Sequence, residues 1–127
     1  MKAGRFQSSD AWIFLSIMNT KGVDLRTVIA TADYINHAIP TKEEIEGAVN
    51  RLAAAGLIGV EGGLFKLTPS GSRLYGRIAP SGKSLIKAWK ELEQYFNSAE
   101  LPAVRIKKFK FKAGQFEAAH KQYTEQF

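Results

Sequence analysis

Cysteine is absent from the 127-residue sequence, which excludes a disulfide framework, cysteine-ligated zinc and thiol chemistry. Histidine is nearly absent: only His37 and His120 occur. Neither has carboxylates at ligand spacing, so no metal site is expected. No nucleophile sits beside a base in a known pattern, and no cofactor motif is present, so the chain reads as a non-enzyme. Long apolar runs are missing too. The longest, Ala11 to Met18, is broken by Ser16 and falls far short of the ~20 residues a bilayer span needs. Met1 to Asp10 lacks the apolar centre of a secretory signal, and no repeat or low-complexity tract is visible. A soluble, cytoplasmic protein with no membrane partner and no cofactor is the expectation.

The length suits one domain, 1–127, because domains most often run to about 100–150 residues. The net charge of +6 is unevenly distributed. Residues 1–56 hold six Lys/Arg and six Asp/Glu, whereas residues 57–127 hold twelve and six. Within 100–112, Arg105, Lys107, Lys108, Lys110 and Lys112 stand against Glu100 alone. A basic half suits nucleic acid or an acidic partner.

Apolar spacing predicts a first helix from about Asp10 to Asn19, capped by Ser9 or Asp10, with Ala11, Phe14, Leu15 and Met18 on one face. Asp24 caps a second, with Leu25, Val28, Ile29, Ala32 and Ile35 inward, ending by Ala38-Ile39-Pro40. Thr41-Lys42-Glu43-Glu44 is a capping box. It opens a third helix with Ile45, Ala48, Val49 and Leu52 inward and a left-handed stop at Gly56. Two apolar runs, Leu57–Glu61 and Leu64–Thr68, flank Gly62-Gly63 and predict a β-hairpin. Thr68-Pro69 starts a helix to about Ile78, interrupted at Ala79-Pro80. A longer helix from Ser81 or Ser84 turns Leu85, Ala88, Trp89, Leu92 and Phe96 inward. Residues 104–112 alternate like a strand, and a tail from about Gly114 aligns Phe116, Ala119, His120, Tyr123 and Phe127. The fold class is mainly α with a small β-hairpin. The three helices and hairpin of 10–78 form the winged helix-turn-helix order, the first two packing across the third, and 79–127 add C-terminal helices.

Leu52-Ala53-Ala54-Ala55-Gly56-Leu57-Ile58 and Phe65-Lys66-Leu67-Thr68-Pro69-Ser70-Gly71 resemble the MarR-type and PadR-type winged helix regulators. In those families a recognition helix ends in glycine, a short wing follows, and Leu-Thr-x-x-Gly opens the next helix. The resemblance covers residues 10–78. It implies a transcriptional regulator that binds double-stranded DNA and a homodimer built by the C-terminal aromatic helices.

On the third helix, Lys42, Glu43, Glu46, Gly47, Asn50, Arg51 and Ala54 point outward. Arg51 suits guanine, Asn50 adenine and Glu46 cytosine, while Lys42 and Lys66 suit phosphates. Glu43, Glu44 and Glu46 oppose a phosphate lattice, and acids in a first turn are explained by the helix dipole alone. Gly47 costs about 1 kcal/mol in mid-helix relative to alanine, and close packing is the expected reason. The hairpin tip, Glu61-Gly62-Gly63, is not basic. Arg105, Lys107, Lys108, Lys110 and Lys112 interleave with Phe109 and Phe111. They are expected to give a phosphate-tracking strip with the aromatics packed inward. Gly76 to Ser84 superficially matches a phosphate-binding loop, but five residues separate Gly76 from Gly82 and a helix precedes it, against the strand–loop–helix such loops require. The expected function is winged-helix DNA binding. Its alternative is a protein-contact module in which the acidic helix and aromatic tail meet another chain.

Overall fold

The computed structural model describes residues 6–79, 84–98 and 108–126. Among them the chain is mainly helical, with one two-stranded antiparallel sheet. In order it forms α1 (Ser8–Ile17), α2 (Leu25–Asn36), α3 (Lys42–Ala54), β1 (Ile58–Glu61), β2 (Leu64–Leu67), α4 (Pro69–Ile78), α5 (Leu85–Ser98) and α6 (Gln115–Thr124).

Helix α1 differs most from its sequence pattern. Every residue from Asp10 to Ile17 is buried, not one stripe, and Met18 lies outside the core at the helix end. The cause is its position, since α2, α3 and α5 all pack on it and β2 touches it. A helix surrounded on all sides is apolar all round. The centre of the fold is therefore α1, where the sequence suggested the third helix. Its cap also differs. Gln7 is the N-cap, and Asp10 sits three residues on, accepting from the Gln7 amide at 2.8 Å.

The other helix boundaries follow local chemistry. Asp24 accepts from the Thr27 amide at 2.8 Å and starts α2, whose five expected inward residues are all buried. That helix stops at Asn36, because His37 takes a left-handed conformation before Pro40 can act. In α3 the capping box is made in both directions, at 2.9 and 3.0 Å. Gly56 (φ 74) donates to the Ala53 carbonyl and Leu57 to the Leu52 carbonyl, the paired bonds of a Schellman ending.

Gly62 and Gly63 both take positive φ, closing the hairpin with Val60 opposite Phe65. The free edge of β2 is taken up by the loop between α1 and α2. Val23 and Phe65 exchange both backbone bonds at 2.8 Å, and Leu67 donates to the Asn19 carbonyl. This anchors the hairpin to the core, where Ile58, Phe65 and Leu67 are buried.

Thr68 then caps α4 and donates its hydroxyl to the Gly56 carbonyl. Gly71 is needed there, because a Cβ would fall 1.9 Å from the Leu57 carbonyl oxygen. The Leu-Thr-x-x-Gly pattern thus seats α4 on the end of α3 by backbone proximity. Ala88, Leu92 and Phe96 bury α5 against the core, and α6 packs on α2 through Ala119 and Tyr123. Residues 108–112 form no strand; residues 104–107, Ser81 and Phe127 lie outside the described set.

Candidate nucleic-acid interface: the outer face of α3 and the strap across it

Three of the residues that the helical wheel leaves outward on α3, Glu46, Asn50 and Arg51, are engaged within the chain. Asn50 Oδ1 accepts the Phe109 amide at 2.6 Å, and its Nδ2 donates to the Phe109 carbonyl at 3.0 Å. The same Nδ2 donates to the Glu46 carbonyl at 2.9 Å. One turn earlier, Glu46 Oε2 accepts the Phe111 amide at 2.7 Å. Residues 108–112 are therefore a strap laid along α3, held by two side chains four residues apart that grip main-chain atoms two residues apart. The i, i+4 spacing places Glu46 and Asn50 on one face, and extended chain brings alternate residues to one side.

The expected alternation in the strap is real. Phe111 is buried and Phe109 half-buried, while Lys108, Lys110 and Lys112 are exposed. Phe109 meets Phe65 edge-on, and Phe111 lies beside both Phe109 and Phe116. Three exposed lysines thus alternate along a strap whose main chain is held by α3 and whose aromatics pack beneath it.

Arg51 turns inward to the core. Its Nε donates to Asp10 Oδ1 and Oδ2 at 3.0 and 2.8 Å, with the Arg51 side chain 19% exposed and that of Asp10 0%. Burial pushes the Asp10 carboxyl above its usual range, opposed by its bonds to Arg51 and the Gln7 amide and by the Arg51 charge. Gly47 explains itself here. A Cβ on it would lie 3.0 Å from one terminal nitrogen of Arg51 and 3.1 Å from the other, so the glycine gives the guanidinium its path across the helix.

The remaining candidates are peripheral. Lys42 is half-exposed in the first turn of α3, at the mouth of a groove shared with Phe116 and His120. Lys66 pairs with Glu61 across the hairpin at 3.2 Å, an exposed pair worth at most about 1 kcal/mol. Arg105 and Lys107 lie outside the described residues. The structure thus brings Glu46, Asn50, Lys108, Lys110 and Lys112 together and leaves Lys42 and Lys66 at the margins. Sequence reasoning passed over Asp10 as a partner. Its signal was a lone acid heading the most apolar run in the chain, which needs a cation once buried.

Aromatics expected to build a dimer surface are largely used inside the chain. Phe96 stacks on Phe6 and meets Phe14 edge-on. Tyr123 donates to Asp33 Oδ2, joining α6 to α2, and that bond raises the phenol above its ordinary range. Among the described residues no group of three or more His, Asp or Glu is placed to hold a metal ion, and no helix is long and apolar enough to cross a membrane. No family model matches the chain, and comparison with curated proteins and with solved structures gives no significant match.

Proposed function

We propose that this chain is a winged-helix DNA-binding protein of the regulator type, with β1–β2 as the wing, that meets the duplex through phosphates. The observation that carries the reading is the strap, whose three exposed lysines lie across the outer face of α3. Base reading by Glu46, Asn50 and Arg51 is not part of it. All three side chains are bound within the chain, so binding rests on charge and discriminates poorly between sequences. Each phosphate neutralised contributes about 0.9 to the slope of log affinity against log salt, so three lysines give a slope near −3. Fluorescence anisotropy of a labelled duplex over a salt series tests this. Lys108→Glu with Lys110→Glu should flatten the slope and weaken all duplexes alike. Salt-independent binding, or an unchanged slope in the double variant, overturns the reading. A homodimer belongs to the same proposal and is tested by sedimentation.

A further inference from the structure

What Asn50 and Glu46 hold on the strap has the chemistry of base edges. Asn50 Oδ1 accepts the N–H of Phe109, and its Nδ2 donates to the carbonyl oxygen of the same residue. Adenine offers asparagine that same pair in the major groove, an N6–H donor beside an N7 acceptor. Glu46 Oε2 accepts the Phe111 amide, as a carboxylate accepts the N4–H of cytosine. The grip is open to exchange. Glu46, Asn50 and Phe109 are all half-buried, and the bonds between α3 and the strap are only partly shielded from solvent. Replacing them with bonds to bases leaves no polar group of α3 unsatisfied, which is the costly outcome. The other anchors of the strap stand apart from this grip. They are the buried Phe111 and, beyond it, α6, docked on α2 by the Tyr123 hydroxyl donating to Asp33.

We propose that the strap is an autoinhibitory cover, in which the main chain of Phe109 to Phe111 occupies the base-reading groups of α3 in place of a duplex. The inference rests on the duplex-binding reading above and adds a second state to it. With the strap seated, binding goes through phosphates and discriminates poorly. With the strap displaced, Asn50 is free for adenine and Glu46 for a nearby cytosine, while Arg51 stays with Asp10. A duplex that offers both bases binds the open state better than the closed one and shifts the population toward it.

In the full chain, Phe111→Ala loosens the strap without altering Asn50, Glu46 or the lysines, and Tyr123→Phe loosens it from α6. Hydrogen exchange of the Phe109 amide reports the release. Duplexes selected from a random pool by Phe111→Ala are compared with scrambled ones by fluorescence anisotropy. Preference for the selected duplex should rise about tenfold or more over wild type. Adding Asn50→Ala should abolish that gain. So should 7-deazaadenine in the selected site, because it lacks the N7 acceptor. Wild type bound to the selected duplex should exchange the Phe109 amide faster than when bound to a scrambled one. Should Phe111→Ala fail to fold, Tyr123→Phe carries the same comparison. Faster exchange without better discrimination overturns the proposal and leaves the phosphate reading standing. A strap that neither variant loosens overturns it too, as does a gain that survives Asn50→Ala. An unchanged salt slope in Lys108→Glu with Lys110→Glu strikes the phosphate reading alone. Absence of duplex binding in wild type and every variant ends both.

Discussion

The Arg51 guanidinium closes on the Asp10 carboxylate from 41 residues away and ties the first turn of α1 to the last turn of α3. Arg51→Ala leaves a buried carboxylate without its cation, which costs about 3 kcal/mol. Denaturant unfolding should record that loss. Affinity for duplex DNA, measured where the variant remains folded, should change little. A variant of wild-type stability that has lost sequence preference would restore Arg51 as a base reader.

The pH dependence of this pair has a definite sign. Burial raises the folded Asp10 carboxyl above 3.8, so between that value and the raised one the folded state holds more protons than the unfolded state. Stability from this group therefore falls as pH rises through the window. Arg51→Ala removes the interactions that oppose the rise, extending the window upward. The stability gap between wild type and Arg51→Ala should be widest at neutral pH and narrow on acidification, as protonated Asp10 needs no counter-charge. A gap independent of pH contradicts a charged pair.

Gly47→Ala should have an effect that depends on Arg51. Alanine gains about 1 kcal/mol of helix propensity, but its Cβ crowds the terminal guanidinium nitrogens at 3.0 and 3.1 Å. In wild type the two effects should nearly cancel. In the Arg51→Ala background the full gain should appear. Additive unfolding energies across the double-mutant cycle would show that the glycine is not shaped by the arginine.

Gly71→Ala places a methyl 1.9 Å from the Leu57 carbonyl oxygen. Neither backbone can yield without breaking the Thr68 cap or the end of α3. A loss of about 3 kcal/mol, at the upper end for overpacking, is expected in thermal or denaturant unfolding. A change below about 0.5 kcal/mol, the level of an ordinary surface substitution, contradicts the close approach.

Asn50→Ala and Glu46→Ala should loosen the strap, each costing about 1–2 kcal/mol of hydrogen bonding at that site. The sensitive measure is local. Exchange of the Phe109 and Phe111 amides should accelerate in the variants, and trypsin should cut faster after Lys108 and Lys110. Unchanged exchange at both amides would mean that aromatic packing alone fixes the strap.

Local chemistry set most of the element boundaries, and these are legible in the chain. Asp24, the Thr41–Glu44 box, the turn at Gly62-Gly63 and Thr68 with Pro69 act on amides and carbonyls a few residues away. The inward stripe of α3 is equally plain, because periodicity alone specifies one buried face. The all-round burial of α1 is not legible in that way, since a short apolar run does not say how many neighbours will surround it.

Sequence by itself determined the order of helices and hairpin, the charge excess of the C-terminal half and the alternation of lysine with phenylalanine. Only the tertiary structure decided what Glu46, Asn50 and Arg51 do. On an isolated helix a polar side chain facing away from the core looks available to a ligand. Here the partners are 65, 59 and 41 residues distant. Hydrogen bonds and ion pairs across such separations form only after hydrophobic burial has brought the strap and α1 against α3, and nothing in local spacing encodes them.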